Sequence, residues 1–418
     1  MPPSYAAGVI ATTVRLDDDV DPVVIGCRTG LLWSSAGFSL AGIGERCRIP
    51  VTRPAPSGAA AEALAALAGP DDVQGPGSGP VAFAALPFDR AAAGELVVPA
   101  VVVGRAADGR RWLTVMGNGP AGPDERAAAL DQVREVLALR TQAPQPTRFE
   151  LEASEPPETW TAAVARGRDR IAAGELTKVV LARDLTLATD RELDPAVVLT
   201  RLRRTFPTSM LFAVSGFVGA SPELLVSRSG DVVRAHPLAG TAARASDPAD
   251  DARQAASLLA SGKDRAEHRI TIDWLLDTLL PFCSYVDAEP EPSIVTLANV
   301  HHLGTRVEGR LSSPAASVLE LVGALHPTPA VGGDPQDRAL AVIAELEGDR
   351  RGRYAGPVGW LDGAGNGQFA VGIRSAQFEG TRVRLFAGVG VVVDSDPEAE
   401  LAETRAKFAA LLGALVQP

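Results

Sequence analysis

The last part of the chain constrains the fold most, because it holds three apolar segments joined by very short turns. The segments cover residues 355–362, 368–378 and 382–393, and the turns between them read DGAGNG and FEGT. Turns of this length join antiparallel neighbours, since a parallel crossover needs a dozen or more residues. Helical patterns elsewhere do not alternate regularly with strands. The sequence therefore predicts an α+β fold with mostly antiparallel sheet.

Periodicity and turn signals predict the other elements. Helices are expected near residues 58–68, 124–140, 159–175, 194–205, 249–281, 314–323 and 397–415. Strands are expected at 177–187, 210–217 and 223–228, and in the runs VDPVVIGC, PVAFAAL and ELVVPAVVVG. Residues 141–157 are rich in proline and acidic residues. We predict that they connect an N-terminal part of the scaffold, 1–140, to a catalytic region, 158–418.

Lysine usage singles out one residue as a candidate base. Lys178, Lys263 and Lys407 are the only lysines among 40 basic residues, and the other thirty-seven are arginines. Arginine is always protonated, so a remaining lysine is a candidate for work that needs a free amine. Lys178 interrupts the apolar strand TKVVLA, where burial disfavours a charged ammonium. We predict a base here, and the alternative is a strand-end lysine that extends to solvent.

Glu223 is a candidate acid because it follows Pro222 at the start of the apolar segment GASPELLVSR. Burial at this point would raise the pKa of Glu223, as a carboxylic acid that donates a proton at neutral pH requires. The alternative is an exposed glutamate at a strand edge.

Two predicted helices carry acid pairs at i, i+3 spacing, which places each pair on one helical face. The pairs are Asp264 with Glu267 and Glu400 with Glu403. If the two faces meet, they can hold Mg²⁺ by one or two direct bonds, with water completing the shell. The alternatives are two solvated faces and a plain i, i+4 ion pair between Glu403 and Lys407.

Small residues flank Arg374 in the segment QFAVGIRSAQF, where Ala370 and Gly372 are predicted to share its face. An arginine beside small residues suggests a cavity. Gly388 and Gly390 of FAGVGVV also share one face, which allows a ligand to approach the backbone. A bulge in a tight sheet is the alternative.

Charge and composition exclude several classes of partner. The net charge of −11 argues against nucleic acid and against an anionic membrane surface. The N-terminal segment lacks the pattern of a signal peptide, so we expect a cytoplasmic protein. Cys27, Cys47 and Cys283 are far apart and lie in apolar contexts, which predicts buried packing residues rather than disulfides or a zinc site.

Taken in order, the motifs resemble those of the chorismate-utilising enzymes, the family that includes anthranilate synthase, aminodeoxychorismate synthase, salicylate synthase and isochorismate synthase. The resemblance covers about residues 158–415 and implies an anthranilate-synthase-like, chorismate-binding fold in one large domain. The segments that carry it are GELTKVVLAR, GASPELLVSR, HPLAGTA, GKDRAEH, VHHLGT, HPTPAVGG, RYAGPVGW, IRSAQ, LFAGVGVV and EAELAETRAK.

The resemblance implies a Mg²⁺ site that receives the ring carboxylate of chorismate. Glu267 and Glu403 would bind the ion directly, with Asp264 and Glu400 behind them, and Lys407 would lie beside the metal-bound carboxylate. The enolpyruvyl carboxylate would meet a second group of residues at matching positions: Arg374, Tyr354 and the backbone near Gly390. The remaining pocket residues implied by the family are Gly240, Thr241 and His302.

The resemblance also separates the reactions of the family. Members that use ammonia have glutamine where this chain has Lys178, whereas a lysine fits activation of water at ring carbon 2 while Glu223 protonates the departing 4-hydroxyl. Ala239 replaces the nucleophilic lysine of aminodeoxychorismate synthases. Ala330 in HPTPAVGG is typical of isochorismate synthases, where salicylate synthases tend to have threonine. Ala242 departs from the arginine of many relatives and leaves the contacts at the pocket edge open.

We therefore expect an isochorismate synthase that depends on Mg²⁺ and serves menaquinone or siderophore biosynthesis. It is expected to act as a monomer without a glutaminase subunit. Salicylate synthase is the alternative activity, and a catalytically idle chorismate-binding protein is the alternative of another class.

Overall fold

The structure, a computed structural model, describes residues 8–51, 58–139 and 145–416. The helices in these ranges are α1 (Pro22–Thr29), α2 (Gly58–Ala65), α3 (Pro123–Ala138), α4 (Pro157–Ala172), α5 (Pro195–Thr205), α6 (Pro248–Ala260), α7 (Gly262–Leu279), α8 (Val318–Leu325), α9 (Gln336–Glu347) and α10 (Pro397–Val416). The strands are β1 (Ile10–Arg15), β2 (Leu32–Ser35), β3 (Phe38–Ile43), β4 (Cys47–Val51), β5 (Val81–Ala85), β6 (Gly94–Val98), β7 (Val101–Arg105), β8 (Arg111–Gly117), β9 (Phe149–Ala153), β10 (Lys178–Thr189), β11 (Met210–Val214), β12 (Phe217–Ser221), β13 (Leu224–Ser229), β14 (Val232–His236), β15 (Leu238–Ala243), β16 (Cys283–Ala288), β17 (Ser293–Thr296), β18 (Val300–Gly304), β19 (Val307–Leu311), β20 (Gly333–Asp334), β21 (Pro357–Asp362), β22 (Gly367–Val371), β23 (Ser375–Glu379) and β24 (Arg382–Val391).

The strands form two large sheets and one small one. The first sheet has the order β1-β8-β7-β3-β2-β11-β12-β23-β24-β10-β20, with β9 also paired to β10. The second has the order β16-β19-β14-β13-β22-β21-β5-β6-β4, and the small sheet has the order β15-β18-β17. The pairs within the sheets are antiparallel, as at β10 with β24 and β21 with β22. The predicted α+β class with mostly antiparallel sheet is confirmed.

Strands from the first 140 residues and strands from the rest of the chain share both large sheets. β2 pairs with β11 in the first sheet, and β5 pairs with β21 in the second. Trp33 and Trp360 lie in one core cluster, and Trp33 Nε1 donates a hydrogen bond of 2.9 Å to Gln368 Oε1. Because both indoles are almost fully buried, replacing either with alanine is expected to cost about 3–5 kcal/mol.

Two sequence predictions were wrong about element type or number. The run VDPVVIGC forms α1 rather than a strand, because the Asp21 side chain caps the helix and Pro22 occupies its first turn. These two start signals outweigh the β-branched residues that follow. The single helix predicted over 249–281 is divided at Ser261, which ends α6 and caps the first turn of α7.

The predicted connector, 141–157, contains regular structure. Its residues 149–153 form β9, which pairs with residues 185–189 of β10. Residues 141–144 lie outside the described ranges. The connector therefore contributes an edge strand to the sheet that also holds Lys178.

The segments predicted as single strands at 210–217 and 368–378 each contain parts of two strands. The second segment breaks before β23, where Arg374 has a left-handed φ of 51°. β22 lies in the second sheet and β23 in the first, so the chain passes between sheets at this break. The same passage occurs between β12 and β13, at Glu223. Two predicted site residues, Glu223 and Arg374, therefore lie where the chain crosses between the two large sheets.

Cys27, Cys47 and Cys283 are free and buried, as packing residues are expected to be. Burial raises the pKa of the Cys27 thiol to about 12, so this thiol stays protonated. Across the described ranges, no helix is both long and apolar enough to cross a membrane.

Candidate active site

A cavity of about 250 Å³ opens where the chain crosses from one large sheet to the other. This volume lies slightly below the range typical of small-molecule sites, which starts at about 300 Å³. All fourteen residues predicted from the sequence line it: Lys178, Glu223, Gly240, Thr241, Asp264, Glu267, His302, Ala330, Tyr354, Arg374, Gly390, Glu400, Glu403 and Lys407.

Lys178 begins β10 and is only 7% exposed. Its Nζ lies 2.6 Å from Glu267 Oε1, so its ammonium ends in the cavity rather than in bulk solvent. Gly390 on the neighbouring β24 makes room for this side chain, because a Cβ at Gly390 would lie 2.9 Å from Lys178 Cε. The space that Lys178 needs therefore explains the glycine at position 390, and a bulge in the sheet is not required.

Glu223 is 4% exposed, and its backbone N–H donates a hydrogen bond of 3.2 Å to Ser221 Oγ. Burial raises the pKa of Glu223 to about 8, and the positive charge of Lys178 opposes that shift only in part. The carboxyl group is therefore mostly protonated at neutral pH. A buried acid in this state can donate a proton inside the cavity.

Arg374 brings an almost buried guanidinium to the cavity without a carboxylate partner among the described residues. Burial lowers the pKa of Arg374. Its Nη2 lies 3.5 Å from His302 Nε2, while His302 Nδ1 lies 3.0 Å from the carbonyl oxygen of Gly240. Because a carbonyl only accepts, Nδ1 carries the proton, and burial lowers the pKa of His302 to about 3. A neutral imidazole thus leaves the arginine charge available to an anion.

Tyr354 and two glycines shape the adjoining wall. Burial raises the pKa of Tyr354 to about 12, so its hydroxyl remains a hydrogen-bond donor. A Cβ at Gly388 would lie 3.2 Å from that hydroxyl. Gly240 has a left-handed φ of 67°, which a side chain would strain. Next to it, Thr241 Oγ1 lies 3.1 Å from His302 Nδ1.

The two acid pairs face the cavity from α7 and α10. Glu403 pairs with Lys407 at 2.7 Å, while Asp264 and Glu400 accept hydrogen bonds from serine hydroxyls. Burial raises the pKa of Glu400, and the negative charge of Glu403 adds to the shift. The alternative of two separate solvated faces is wrong, although the i, i+4 ion pair does form.

The carboxylates are compatible with Mg²⁺ without forming a closed cage. Within residues 8–51, 58–139 and 145–416, no three His, Cys, Asp or Glu side chains are close enough together to hold a metal ion. Mg²⁺ commonly takes only one or two carboxylates and fills its shell with water and substrate oxygens. Glu267 and Glu403 each already face a lysine ammonium, so both are oriented toward positive charge. Carboxylate oxygens are the donor type that a hard cation such as Mg²⁺ prefers.

Ten further residues line the cavity without belonging to the predicted site, and the sequence analysis drew attention to only two of them, Ala239 and Gly388. Val180 follows Lys178 by two positions on one strand, so alternation could have indicated it. Apart from Ala239 and Gly388, the others depend on tertiary packing, which no local pattern reports. The ten are Val180, Pro222, Leu238, Ala239, Val331, Ile373, Phe386, Ala387, Gly388 and Leu411.

A lysine, a protonated acid and an arginine without a carboxylate partner among the described residues give the cavity the groups that an enzyme acting on a small anion needs. The comparison with known families is consistent with that class. Residues 28–416 match the family described as chorismate binding enzyme. The chain therefore belongs to the chorismate-binding enzymes.

Individual relatives cover most of the chain. A Mycobacterium tuberculosis protein that bears the name MenF is 42% identical over 354 residues, covering 81% of this chain and 87% of the relative. Isochorismate synthase DhbC of Bacillus subtilis is 38% identical over 349 residues, which is 81% of each chain. The structure of MenF, the menaquinone-specific isochorismate synthase from Escherichia coli, is similar with a TM-score of 0.78 and 25% identity, covering 98% of this chain and 95% of that one.

Proposed function

We propose that this chain is an isochorismate synthase that converts chorismate reversibly to isochorismate in the presence of Mg²⁺. The observation that carries the proposal is the presence of Lys178 and Glu223 in one cavity, where Lys178 would accept a proton in its neutral form and Glu223 holds one. The name of the Bacillus subtilis relative, isochorismate synthase, supports the same activity.

In this reaction the two residues act on different atoms of the substrate. Once Lys178 has lost its ammonium proton, its neutral Nζ accepts a proton from water as the water oxygen bonds to ring carbon 2. Both ring double bonds shift, and the bond between ring carbon 4 and its hydroxyl breaks. Glu223 gives its proton to the departing oxygen, which leaves as water. One water enters and one leaves, so the net change is an isomerisation.

The acid pairs would hold the metal at the other end of the substrate. Glu267 and Glu403 would bind Mg²⁺ directly, and Asp264 and Glu400 would lie behind them. When bound, the ion supplies positive charge for the ring carboxylate. Their position on two helices of one cavity supports this role.

The enolpyruvyl carboxylate would bind to Arg374, Tyr354 and the backbone near Gly390. The guanidinium supports this role because it is buried without a carboxylate partner among the described residues. The remaining members of the proposed substrate pocket are Gly240, Thr241, His302, Ala330 and Lys407.

Two further proposals concern how the enzyme works in the cell. A lysine at position 178 supports activation of water rather than use of ammonia, so we propose a monomer that acts without a glutaminase subunit. The free, buried cysteines fit a reducing compartment, which supports a cytoplasmic location. The product would serve menaquinone or siderophore biosynthesis.

Product analysis tests the proposed activity. Purified protein is incubated with chorismate and Mg²⁺, with and without ammonium, and the products are separated by chromatography. Isochorismate is expected in both samples, and the Lys178→Gln variant serves as the control for a contaminating activity. Salicylate with pyruvate as direct products would support salicylate synthase, and anthranilate with ammonium would support an aminase. Full turnover by Lys178→Gln would contradict the role of the lysine.

A further inference from the structure

The strand that carries Lys178 has an interrupted edge. On this edge β10 pairs with β20 at residues 178 and 179, and with β9 at residues 185–189. Neither strand pairs with residues 180–184, where backbone hydrogen bonds to the rest of this edge occur only at the two ends, from Val180 N–H to Gly332 O at 2.9 Å and from Ser154 N–H to Asp184 O at 3.5 Å. Backbone N–H and C=O groups at such a gap need other hydrogen-bond partners when they are buried. The gap begins two residues after Lys178.

Glu347 and Arg351 take the place of the missing strand. Glu347 Oε1 accepts a hydrogen bond of 2.8 Å from the Ala182 backbone N–H, and Arg351 Nη2 donates one of 2.5 Å to the Val180 carbonyl oxygen. The two side chains also form an ion pair at 2.7 Å, and each has only 4% of its side chain exposed. A buried pair with such complete hydrogen bonding holds the strand in one position.

Arg351 also contacts two other walls of the cavity, one through its guanidinium and one through its backbone. Arg351 Nη1 donates a hydrogen bond of 2.9 Å to the carbonyl oxygen of Val331, which is next to Ala330. The backbone carbonyl of Arg351 accepts one of 2.8 Å from the Tyr354 N–H. Its guanidinium carbon lies 4.1 Å from the centroid of the Phe88 ring, which fixes the side chain from another direction.

We infer that Glu347 and Arg351 are positioning residues whose side chains hold the Lys178 strand against the wall that contains Ala330. Neither residue lines the cavity, so they act without touching the substrate. The expected effect of this pair on catalysis rests on the proposed function, but its effect on the position of Lys178 does not. The position of Lys178 can therefore be tested separately.

The test uses the three lysines as reporters. Protein labelled with carbon-13 at lysine Cε gives three NMR signals, and Lys178→Arg and Lys407→Arg assign them. The test variant is Glu347→Leu/Arg351→Met, which removes both charges together and leaves neither buried without a partner. The matched control is Glu345→Leu/Arg170→Met, which removes an exposed pair at 2.7 Å between α9 and α4.

In the test variant we expect the Lys178 signal to shift while the other two signals stay unchanged. With chorismate, we expect kcat to fall about tenfold or more and KM to change by less than about threefold, since the amine is displaced while binding contacts remain. The control should leave all three signals and kcat unchanged.

A folded test variant with an unchanged Lys178 signal would overturn the inference. If circular dichroism shows that this variant does not fold, Arg351→Lys replaces it, because one ammonium cannot reach both carbonyl oxygens. A smaller shift of the Lys178 signal is then expected, and an unchanged signal would again overturn the inference. If the wild-type protein makes no isochorismate, the proposed function fails, but the NMR result still decides the position of Lys178.

Discussion

The two ends of the cavity achieve their chemistry by different physical means. At the enclosed end, Glu223, Tyr354 and Arg374 are less than one-tenth exposed, and burial is the main cause of each pKa shift. At the open end, the side chains of Glu267 and Glu403 are 27% and 42% exposed and each pairs with a lysine. Desolvation therefore sets proton positions at the enclosed end, whereas opposite charges organise the open end. Substitutions at the enclosed end should therefore lower turnover, whereas substitutions at the open end should weaken binding of the metal.

The largest effect is expected at Lys178, whose side chain joins the two ends. Lys178→Arg keeps the positive charge but removes the free amine, so kcat with chorismate should fall by about a thousandfold or more. Steady-state assays measure this loss, and Lys263→Arg is the matched control. Lys263 is exposed and does not line the cavity, so that variant should keep kcat within about threefold of wild type. Retained turnover by Lys178→Arg would assign the base to another residue.

The next largest effect is expected at the enclosed end. Glu223→Gln keeps the size of the side chain but removes the proton donor, so kcat should fall by about a hundredfold or more. Mg²⁺ affinity, measured by calorimetry, should stay unchanged because Glu223 belongs to the other end. A large loss of Mg²⁺ affinity with little loss of kcat would remove the distinction between the two ends.

The pH dependence of activity and of stability tests whether burial raises the pKa of Glu223. Its pKa is raised from 4.5 to about 8, so the acid is protonated below that value and loses its proton above it. We expect kcat/KM to fall as pH rises through about 8. The folded state binds this proton more tightly than the unfolded chain, so the free energy of unfolding should also fall as pH rises from about 4.5 to 8. Urea unfolding of wild type and Glu223→Gln across this range measures the second effect, which the variant should lack.

At the open end we expect an effect on metal binding. Glu403→Gln and Glu267→Gln should each raise the Mg²⁺ concentration for half-maximal activity by about tenfold or more, because each removes one carboxylate charge. Asp264→Asn should have a smaller effect, since Asp264 would lie behind the two glutamates that bind the ion directly. Mg²⁺ titration of the three variants tests this order. An unchanged Mg²⁺ requirement in both glutamate variants would contradict the proposed metal site.

The smallest effect is expected away from both ends. Arg269 and Asp273 form an exposed i, i+4 ion pair on α7 at 2.7 Å. Arg269→Ala should change the free energy of unfolding by less than about 1 kcal/mol and leave kcat unchanged. Urea unfolding and assays check this. A large loss of activity would show that α7 acts beyond its cavity-facing acids.

The sequence predicts the members of the site better than it predicts their backbone. Motif order and residue chemistry identify Glu223 and Arg374 as candidates, and both line the cavity. Their places at the crossings between sheets were not predicted, although the apolar residues change from odd positions up to Ile373 to even positions at Ala376 and Phe378, which marks the break at Arg374. The left-handed φ of 51° at that residue is set by tertiary packing rather than by local preference.

Other parts of the fold show why local signals have a limited reach. The cap at Asp21 and the proline after it are local signals of α1, but the β-branched residues that follow favour a strand. By contrast, no local signal marks Glu347 and Arg351 as partners of the Lys178 strand. Their hydrogen bonds reach backbone groups as far as 171 residues away, so only the folded chain reveals them.

The most direct test of the central claim follows the oxygen atom that enters the product. The enzyme is incubated with chorismate and Mg²⁺ in water enriched in heavy oxygen, and the product is analysed by mass spectrometry. If Lys178 activates water while Glu223 releases the 4-hydroxyl, each isochorismate formed carries one heavy oxygen, located at ring carbon 2. Isochorismate without heavy oxygen, or salicylate and pyruvate in its place, would contradict the account.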